Sequence, residues 1–352
     1  MDTHADGLVV APLLLVGSFL CGTCNAGAAD ALQGPDGLFG VIRAKFQEYT
    51  VVVEPDKNER EWWAGAPSVT RDRTGTFWLA CRMRTADSPR GLRGYEIRIF
   101  RSADGIRFEK IHSIRREDVP IPGFERPALL TDPVTGRFKL YACGPWRNGP
   151  WSIIRFDDVN NPAQFDPTSA RVVIAPPAPS HERDIVVEGY KDPFIMYVQG
   201  QYHAYVIGVM RRTERIYHFS SKDGERWEPV GSPRQSIMDL TGWHDFYVRP
   251  ASLVPLGVGY LFIYEGSNCD WHDPVYNIAT GIGFTFDLHH VTDLTPDAPL
   301  VVSTTPSEPF RTWRYSHWMW VGDELWAYAE VARPNESNEI RLFRVSRSEN
   351  KP

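Results

Sequence analysis

The chain has 352 residues, of which 42% are hydrophobic and 23% are charged, a balance typical of a globular protein with a large core. A formal net charge of -6 and the lack of a basic stripe argue against a nucleic-acid partner. The many aromatic residues (12 Trp, 14 Tyr and 18 Phe) fit a packed core and also supply rings that can stack on a ligand.

The N-terminal segment, residues 1–28, predicts a secretory signal peptide. Leu8 to Leu20 form an apolar run too short to span a membrane comfortably, and Ala26 to Ala28 supply the small residues of a cleavage site. The preceding MDTHADG has no Lys or Arg, which an atypical leader or a misassigned start codon explains equally well. We predict an exported protein, periplasmic or extracellular, with one domain over residues 29–352 and no membrane span.

Five repeated units follow the leader. Short runs rich in Val, Ile, Tyr, Phe and Trp alternate with Gly, Pro, Asp and Asn, which is typical of many short antiparallel strands. Each unit has an apolar strand, a turn that contains Gly, and a second strand led by an aromatic residue. The units begin at Ala66, Arg126, Asp192, Arg249 and Tyr315. Consecutive units begin 57 to 66 residues apart. Units of this length, each with about four strands, predict an all-β fold, a five-bladed β-propeller.

Two smaller patterns accompany the repeat. The segment from Phe39 to Val53 has enough β character to supply a strand that closes the ring with the last blade. Ser102 to Phe108 and Ser221 to Trp227 share the pattern Ser-x-Asp-Gly-x-x-aromatic, which predicts a tight turn covered by the aromatic ring. We interpret these turns as folding devices without a catalytic role.

Three cysteines, Cys81, Cys143 and Cys269, remain after the leader. No pair has the spacing of a metal site, and an odd number does not indicate a disulfide framework. We expect three buried thiols, with one disulfide plus one thiol as the alternative.

The starts of the five units are expected to meet, because the innermost strand of each propeller blade lines a central channel. Asp192 would then lie between Arg126 and Arg249. Buried charges are costly unless they are paired, so one alternative is that Asp192 simply pairs with one of these arginines. We favour a cluster that faces a substrate.

Further polar residues are predicted at the same end of the channel. Equivalent positions of the second strands are Arg82, Cys143, Ile207, Glu265 and Glu330. Carboxylates also precede the inner strands, at Glu125, Glu188 and Asp245, with Arg314 and His317 close to the start of the fifth unit. Loops at the rim would bring these side chains to one face.

Such a cluster suits carbohydrate chemistry. Cleavage of a glycosidic bond needs one carboxylic acid that protonates the leaving oxygen and one carboxylate that acts as base or nucleophile. Aromatic rings such as that of Trp63 can hold a sugar, and Arg or His can donate to hydroxyl, phosphate or carboxylate groups. We predict no metal site, although a Ca²⁺ bound by oxygens from separate blades would leave no local signature.

The repeats, Lys191-Asp192-Pro193, Glu125-Arg126-Pro127 and the two Ser-x-Asp-Gly turns resemble the five-bladed propeller glycosidases. These include glycoside hydrolase families 32, 43, 62, 68 and 117, with the family 130 mannoside phosphorylases nearby. The resemblance covers nearly the whole chain after the leader and consists of the architecture and a few short sequence motifs. It implies that Asp192 orients the substrate or tunes the acid, and that Glu125 is similar to the general acid of family 43.

The first unit departs from those families, which carry an Asp there as base or nucleophile. This chain has Gly65-Ala66-Pro67, and the nearest carboxylate is Glu61. The base would then come from another blade, or the chain is not a standard member.

The sequence therefore predicts a glycosidase that acts on an oligosaccharide or glycoside and needs no cofactor. The predicted catalytic residues are Asp192 as the orienting carboxylate, Glu125 or Glu265 as the acid, and Asp245 or Glu265 as the base. The predicted substrate-binding residues are Arg82, Arg126, Arg249, His317, Trp63 and Glu330. The alternatives are a phosphorylase that binds phosphate through the Arg and His cluster, and a non-catalytic carbohydrate-binding propeller.

Overall fold

The computed structural model describes residues 37–89, 92–178, 187–232, 235–270, 277–303, 305 and 312–346. The predicted signal peptide lies outside these residues. None of the helices in the described ranges is long and apolar enough to cross a membrane.

The described chain is built almost entirely of strands, which confirms the all-β class. Within the described ranges, one α-helix, α1 (Gly37–Lys45), precedes the strands. The strands are β1 (Thr50–Val53), β2 (Trp63–Arg71), β3 (Phe77–Arg84), β4 (Gly94–Ser102), β5 (Glu109–Arg115), β6 (Ala128–Thr131), β7 (Phe138–Pro145), β8 (Trp151–Arg155), β9 (Arg171–Ile174), β10 (Gly189–Val198), β11 (Gln201–Met210), β12 (Thr213–Ser221), β13 (Glu228–Pro229), β14 (Tyr247–Pro255), β15 (Tyr260–Ser267), β16 (Ala279–Thr285), β17 (Thr292–Asp293), β18 (Trp313–Val321), β19 (Glu324–Ala332) and β20 (Asn338–Ser346).

Antiparallel pairing sorts the strands into five groups, here called sheets 1 to 5. They are β2–β5, β6–β9, β10–β13, β14–β17, and β18–β20 with β1 added to the outer edge of β20. Single parallel pairs link sheet 5 to sheet 1 (Asn338 with Trp63) and sheet 3 to sheet 4 (Glu214 with Tyr247). The first two strands of each sheet correspond to one predicted unit.

The first strands of the sheets contact one another in a cycle, β2 to β6, β10, β14, β18 and back to β2. The hydrophobic core is divided in the same way into five clusters, and each cluster lies between two neighbouring sheets. Successive strand side chains point to opposite faces, so one strand serves two clusters. In β3, for example, Ala80 packs towards sheet 2 while Leu79 packs towards sheet 5.

The N-terminal segment joins the last sheet. Thr50 to Val53 pair with β20, as predicted, whereas the helix before them was not expected. Helix α1 and the turn after it bring Ile42 and Phe46 into the core between sheets 4 and 5, where Phe46 packs on Trp318 with ring centroids 5.0 Å apart. Burial of these side chains anchors the segment.

The two Ser-x-Asp-Gly turns attach each of their sheets to the sheet before it. The hydroxyl of Tyr328 donates to the carbonyl of Gly105, and that of Tyr141 donates to the carbonyl of Gly224, both at 2.7 Å. Both glycines have positive φ, 73° and 75°, which glycine adopts at little cost. The turns are therefore packing devices between neighbouring sheets.

The cysteines differ from the prediction at one position. Cys81 and Cys143 are buried thiols, but Cys269 is exposed, so the expectation of three buried thiols is wrong. Cys269 follows the end of β15 and lies at the surface.

Candidate functional site

Three sheets share one irregularity near the start of their first strands. Ala66, Asp192 and Tyr315 have left-handed backbones, with φ of 53°, 52° and 51°, and the register with the second strand shifts at each of them. A left-handed conformation costs a non-glycine residue roughly 1–2 kcal/mol, so contacts nearby have to stabilise it.

Those contacts come from the second strand of the preceding sheet. Glu330 accepts from the backbone N–H of Ala66 at 3.0 Å, and Glu265 accepts from that of Ser316 at 2.8 Å. The Cys143 sulfur lies 3.1 Å from the backbone nitrogen of Asp192. Glu265, Glu330 and Cys143, which sequence analysis placed at equivalent positions, thus hold the bulges of the neighbouring sheets.

Glu330 also belongs to a buried ion-pair network that continues to Glu125. Arg82 donates to Glu330 at 2.8 Å and to Glu125, while Arg314 binds the other oxygen of Glu330 at 2.8 Å. The Glu330 carboxylate can approach the backbone of Gly65 this closely only because glycine has no side chain: a Cβ on Gly65 would lie 1.8 Å from Oε2 of Glu330. The predicted substrate ligands Arg82 and Glu330 are therefore fully buried and paired with each other.

Glu125 is held in its ionised form. Burial by itself raises the pKa of this carboxyl, but the positive charges of Arg82, Arg84 and Lys191 outweigh burial and bring the pKa to about 2. The backbone N–H of Glu125 donates to the carbonyl of Cys143 at 3.1 Å, which fixes its place beside the start of β6.

A second network lies across sheets 3 and 4. One carboxylate oxygen of Glu214 forms an ion pair with Lys191 at 3.2 Å, and the other forms one with Arg249. The Arg249 guanidinium also lies over the ring of Tyr247, 4.7 Å from its centroid. Burial raises the pKa of Glu214, but the charges of Arg249 and Lys191 reverse this and lower it. Sequence analysis missed Glu214, which stands on a third strand outside the repeat pattern.

Asp192 lies between the two networks. Its Oδ1 accepts from the backbone N–H of Arg126 at 3.1 Å, and its Oδ2 accepts from the hydroxyl of Tyr315 at 3.2 Å. Burial, followed by the negative charges of Asp192 and Glu125, raises the pKa of Tyr315 far above its usual value, so the hydroxyl stays protonated. Asp192 thus binds this hydroxyl, and the negative charge of Glu125 adds to the shift of its pKa.

The Arg126 guanidinium does not pair with Asp192. It donates instead to the backbone carbonyls of Pro250, Ala251 and Ser316, at 2.9, 2.7 and 3.3 Å. Because Arg126 precedes β6 of sheet 2, this side chain reaches across the cycle to sheets 4 and 5. Arg126, predicted to bind substrate, is buried and joins three sheets.

Trp63 and Asp245 have surroundings that differ from their predicted roles. Trp63 is buried beneath the guanidinium of Arg84, and its indole N–H donates to the Glu336 carbonyl at 3.0 Å, so its ring is not an open sugar platform. Asp245 is exposed and accepts from the backbone N–H of Cys269 at 3.1 Å. No contact among the described residues brings Asp245 to Asp192 or Glu125.

Burial shifts the pKa values of Glu265 and His317. Burial raises the pKa of Glu265, whose Oε2 has no hydrogen-bond partner within the described ranges. Burial, followed by the charge of Arg126, lowers the pKa of His317 to about 3. The His317 ring is thus neutral and packs 5.9 Å from the ring of Phe194.

Four charged side chains of the two networks retain some exposure. The exposed fractions are 18% for Lys191, 9% for Glu125, 8% for Glu214 and 5% for Arg249. With the buried members, the cluster holds the cations Arg82, Arg84, Lys191, Arg249 and Arg314 against the carboxylates Glu125, Asp192, Glu214 and Glu330. Lys191, the most exposed of the four, presents a positive charge that suits an anionic ligand.

No group of three or more His, Cys, Asp or Glu side chains in the described parts of the chain is arranged to hold a metal ion. A Ca²⁺ in the channel stays a prediction.

The chain has the fold of solved carbohydrate-active enzymes. A glycosyl hydrolase from Bacteroides ovatus matches with a TM-score of 0.63 and 12% identity, over 86% of this chain and 94% of that one. β-1,2-Mannobiose phosphorylase from Listeria innocua, solved with β-1,2-mannobiose, matches with a TM-score of 0.59 and 13% identity, over 85% and 95%. The α-L-arabinofuranosidase of Podospora anserina, solved with cellotriose, matches with a TM-score of 0.56 and 13% identity, over 85% and 97%.

No protein-family model and no curated protein sequence matches the chain. The resemblance to the propeller glycosidases is confirmed by the structural matches, and at these identities it concerns the fold alone.

Proposed function

We propose that the protein is a carbohydrate-active enzyme that cleaves a glycosidic bond at the N-terminal ends of the first strands. We further propose that its sheets are the five blades of a propeller. The cyclic contacts of the first strands and the five core clusters between neighbouring sheets support this arrangement. The fold shared with glycoside hydrolases and a phosphorylase supports a saccharide as the substrate.

Asp192 accepts from the Tyr315 hydroxyl and from the backbone N–H of Arg126, the residue that follows Glu125, and this placement of two carboxyl groups is the observation that carries the proposal. Glycosidic cleavage needs two carboxyl groups with different roles. Because its pKa is about 2, Glu125 is better suited to act as base or nucleophile than as the acid of the sequence-based assignment. Asp192 keeps its proposed orienting role, now through the Tyr315 hydroxyl, and its carboxyl group is the remaining candidate for the acid that protonates the leaving oxygen.

Glu265 is not part of this proposed machinery. Its raised pKa is that expected of a general acid, but it is fully buried and bound to the amide and hydroxyl of Ser316, at 2.8 and 3.2 Å. These contacts support a structural role instead.

We propose an acidic saccharide as the substrate class. Lys191 is a partly exposed cation whose charge acts on Glu125, and it shares Glu214 with Arg249. The same cations favour a second candidate function, phosphorolysis, in which inorganic phosphate replaces water. The fold shared with β-1,2-mannobiose phosphorylase supports this candidate.

Turnover of a panel of neutral and uronic aryl glycosides and oligosaccharides, with and without phosphate, tests the proposal. We expect release of a reducing sugar from at least one acidic substrate. Loss of that activity is expected in Asp192→Asn and Glu125→Gln, with Glu188→Gln as the matched control because Glu188 is exposed. Activity only with phosphate identifies a phosphorylase. Unchanged turnover in Asp192→Asn contradicts the assignment, and binding without any turnover identifies a non-catalytic domain.

Export and a single domain over residues 29–352 remain proposals that rest on the sequence. The apolar run from Leu8 to Leu20 and the small residues after it support them. N-terminal sequencing of the protein from its native host tests cleavage near residue 28.

A further inference from the structure

Three histidines form a continuous chain of contacts between sheets 3 and 4. Nδ1 of His203 lies 2.9 Å from Nε2 of His218, and Nδ1 of His218 lies 3.3 Å from Nδ1 of His289. His203 is on β11 and His218 on β12, whereas His289 belongs to the connection between β16 and β17 of sheet 4. The chain therefore crosses the boundary between the two sheets.

The surroundings hold the central ring in place. His218 is buried and stacks on Tyr205, with ring centroids 4.5 Å apart and planes at 12°. The Tyr205 hydroxyl donates to the carbonyl of Leu288 at 2.6 Å, next to His289. A Cβ on Gly231 would lie 2.7 Å from Nε2 of His289, so this end of the chain is also closely packed.

We propose that His203, His218 and His289 form a proton-binding chain. It accepts one proton while both of its contacts persist, and it opens the boundary between sheets 3 and 4 when a second proton binds.

Counting protons gives this capacity. Each N···N contact can contain one proton, because two facing N–H groups repel. The chain has two such contacts and two outer nitrogens, so it has places for four protons. Three neutral imidazoles carry three protons on their ring nitrogens, one each, so one of the four places is left for an additional proton. A fifth proton would place two N–H groups opposite each other across one contact.

The electrostatic surroundings support a neutral chain at pH 7. Burial lowers the pKa of His203, and burial followed by the charges of His203 and His289 lowers the pKa of His218 to about 3. Burial, then the charge of His290, lowers the pKa of His289. Outside the three histidines, Asp287 acts electrostatically on His218 and His289, His290 acts on His289, and Tyr205 stacks on His218.

The sign of the pH dependence follows from these shifts. The folded pKa values lie below the unfolded value of about 6.5, so the unfolded chain binds more protons when the pH falls below about 6.5. For each such histidine, the ratio of folded to unfolded protein falls by up to about tenfold per pH unit in that range. The stability that the three histidines contribute to the folded protein is thus present above about pH 6.5 and is lost on acidification.

This boundary also carries the second ion-pair network. Lys191 and Glu214 belong to sheet 3, and Arg249 belongs to sheet 4. Opening the boundary at one end of the sheets would therefore act on charged groups at the other end.

Long-range ¹H–¹⁵N spectra of the histidine rings, recorded on the full-length protein from pH 8 to pH 5, test the capacity directly. We expect one ring of the three histidines, and no more, to become an imidazolium while the protein is folded, and a folded protein in which none does so contradicts the proposal. Two or three rings that become imidazolium with midpoints near pH 6.5 in the folded protein would overturn the proposal.

Thermal unfolding over the same pH range gives a second test. The fall of the midpoint below pH 6.5 is expected to be clearly smaller in a His203→Gln/His289→Gln double variant than in the wild type. His112→Gln is the control, because His112 lies on β5 of sheet 1, away from the three histidines, and the pH dependence of this variant is expected to match the wild type. If the double variant does not fold, His289→Gln alone is compared. Equal pH dependence in the wild type and the chain variants contradicts the proposal.

Discussion

The carboxylate of Glu330 accepts a 3.0 Å hydrogen bond from the backbone N–H of Ala66, 264 positions earlier in the chain. The same side chain binds Arg82 and Arg314 and is fully buried. One carboxylate thus holds the bulge of the first sheet from the last sheet and balances two buried cations.

We expect Glu330→Gln to lower the free energy of unfolding by about 3–5 kcal/mol, because Arg82 and Arg314 would lose a buried counter-charge. Urea unfolding followed by tryptophan fluorescence measures this change. Glu228→Gln, at an exposed glutamate, is the control and is expected to change stability by less than about 0.5 kcal/mol. A loss below 1 kcal/mol in Glu330→Gln would show that the network is not structural.

The segment before the first sheet is expected to stabilise the fold. Phe46→Ala removes a buried ring that packs on Trp313, Trp318 and Phe343, and should cost about 3–5 kcal/mol. Gln47→Ala, at the adjacent exposed residue, should be nearly neutral. Similar unfolding midpoints for the two variants would indicate that the segment contributes little.

The pKa of Glu125 gives a pH prediction. The folded pKa of Glu125, about 2, lies below the unfolded value near 4.5. The contribution of Glu125 to the free energy of unfolding is therefore present above pH 4.5 and is lost as the pH falls towards 2. The difference amounts to roughly 3 kcal/mol. Unfolding of the wild type and Glu125→Gln at pH 6, 4 and 3 checks this. We expect the variant to lose less stability over that range, and parallel losses would contradict the ionised state.

The Tyr315 hydroxyl is expected to matter for activity more than for folding. Tyr315→Phe removes a hydrogen bond to the Asp192 carboxylate, and a bond to a charged group contributes about 1.5–3 kcal/mol, which corresponds to a loss of about 10- to 150-fold in kcat/KM. The measurement uses the glycoside that the wild type cleaves fastest. Tyr260→Phe, at a tyrosine outside the site, serves as the control. Wild-type kcat/KM in Tyr315→Phe would remove Tyr315 from the site.

Thiol labelling should distinguish the three cysteines. In protein lacking residues 1–28, we expect an aromatic disulfide reagent to modify Cys269 rapidly, because this side chain is exposed. Cys81 and Cys143 should react only after unfolding, since burial raises the pKa of both thiols, that of Cys81 to about 12. Rapid labelling of more than one thiol in the native protein would contradict the described packing.

The repeat predicted the first strands of the five sheets to within two or three residues of their observed starts at Trp63, Ala128, Gly189, Tyr247 and Trp313, because the strand and turn patterns are local. It also placed Glu265 and Glu330 at equivalent positions, which the structure confirms. What the pattern could not supply was the reach of long side chains. Arg126 extends to carbonyls of two other sheets, and Glu214 joins Lys191 to Arg249 from a third strand.

Two further differences arise from loop conformation and burial. Asp245 precedes a first strand, as Glu125 does, but its loop turns the carboxylate to the backbone of Cys269. Trp63 begins a first strand, yet it lies beneath Arg84 instead of facing an open cleft. Neither outcome has a local sequence signal, because each depends on a segment distant in the chain.

Ala66, Asp192 and Tyr315 occupy one backbone position in three sheets and have nearly equal φ, yet their side chains are a methyl group, a carboxylate and a phenol. The left-handed backbone limits this position mainly by conformation, and aspartate and asparagine tolerate that conformation better than most residues do. A duplicated sheet can therefore gain or lose a reactive group by one substitution without changing its strand pairing. In this fold, new chemistry can evolve at a fixed backbone site, one sheet at a time.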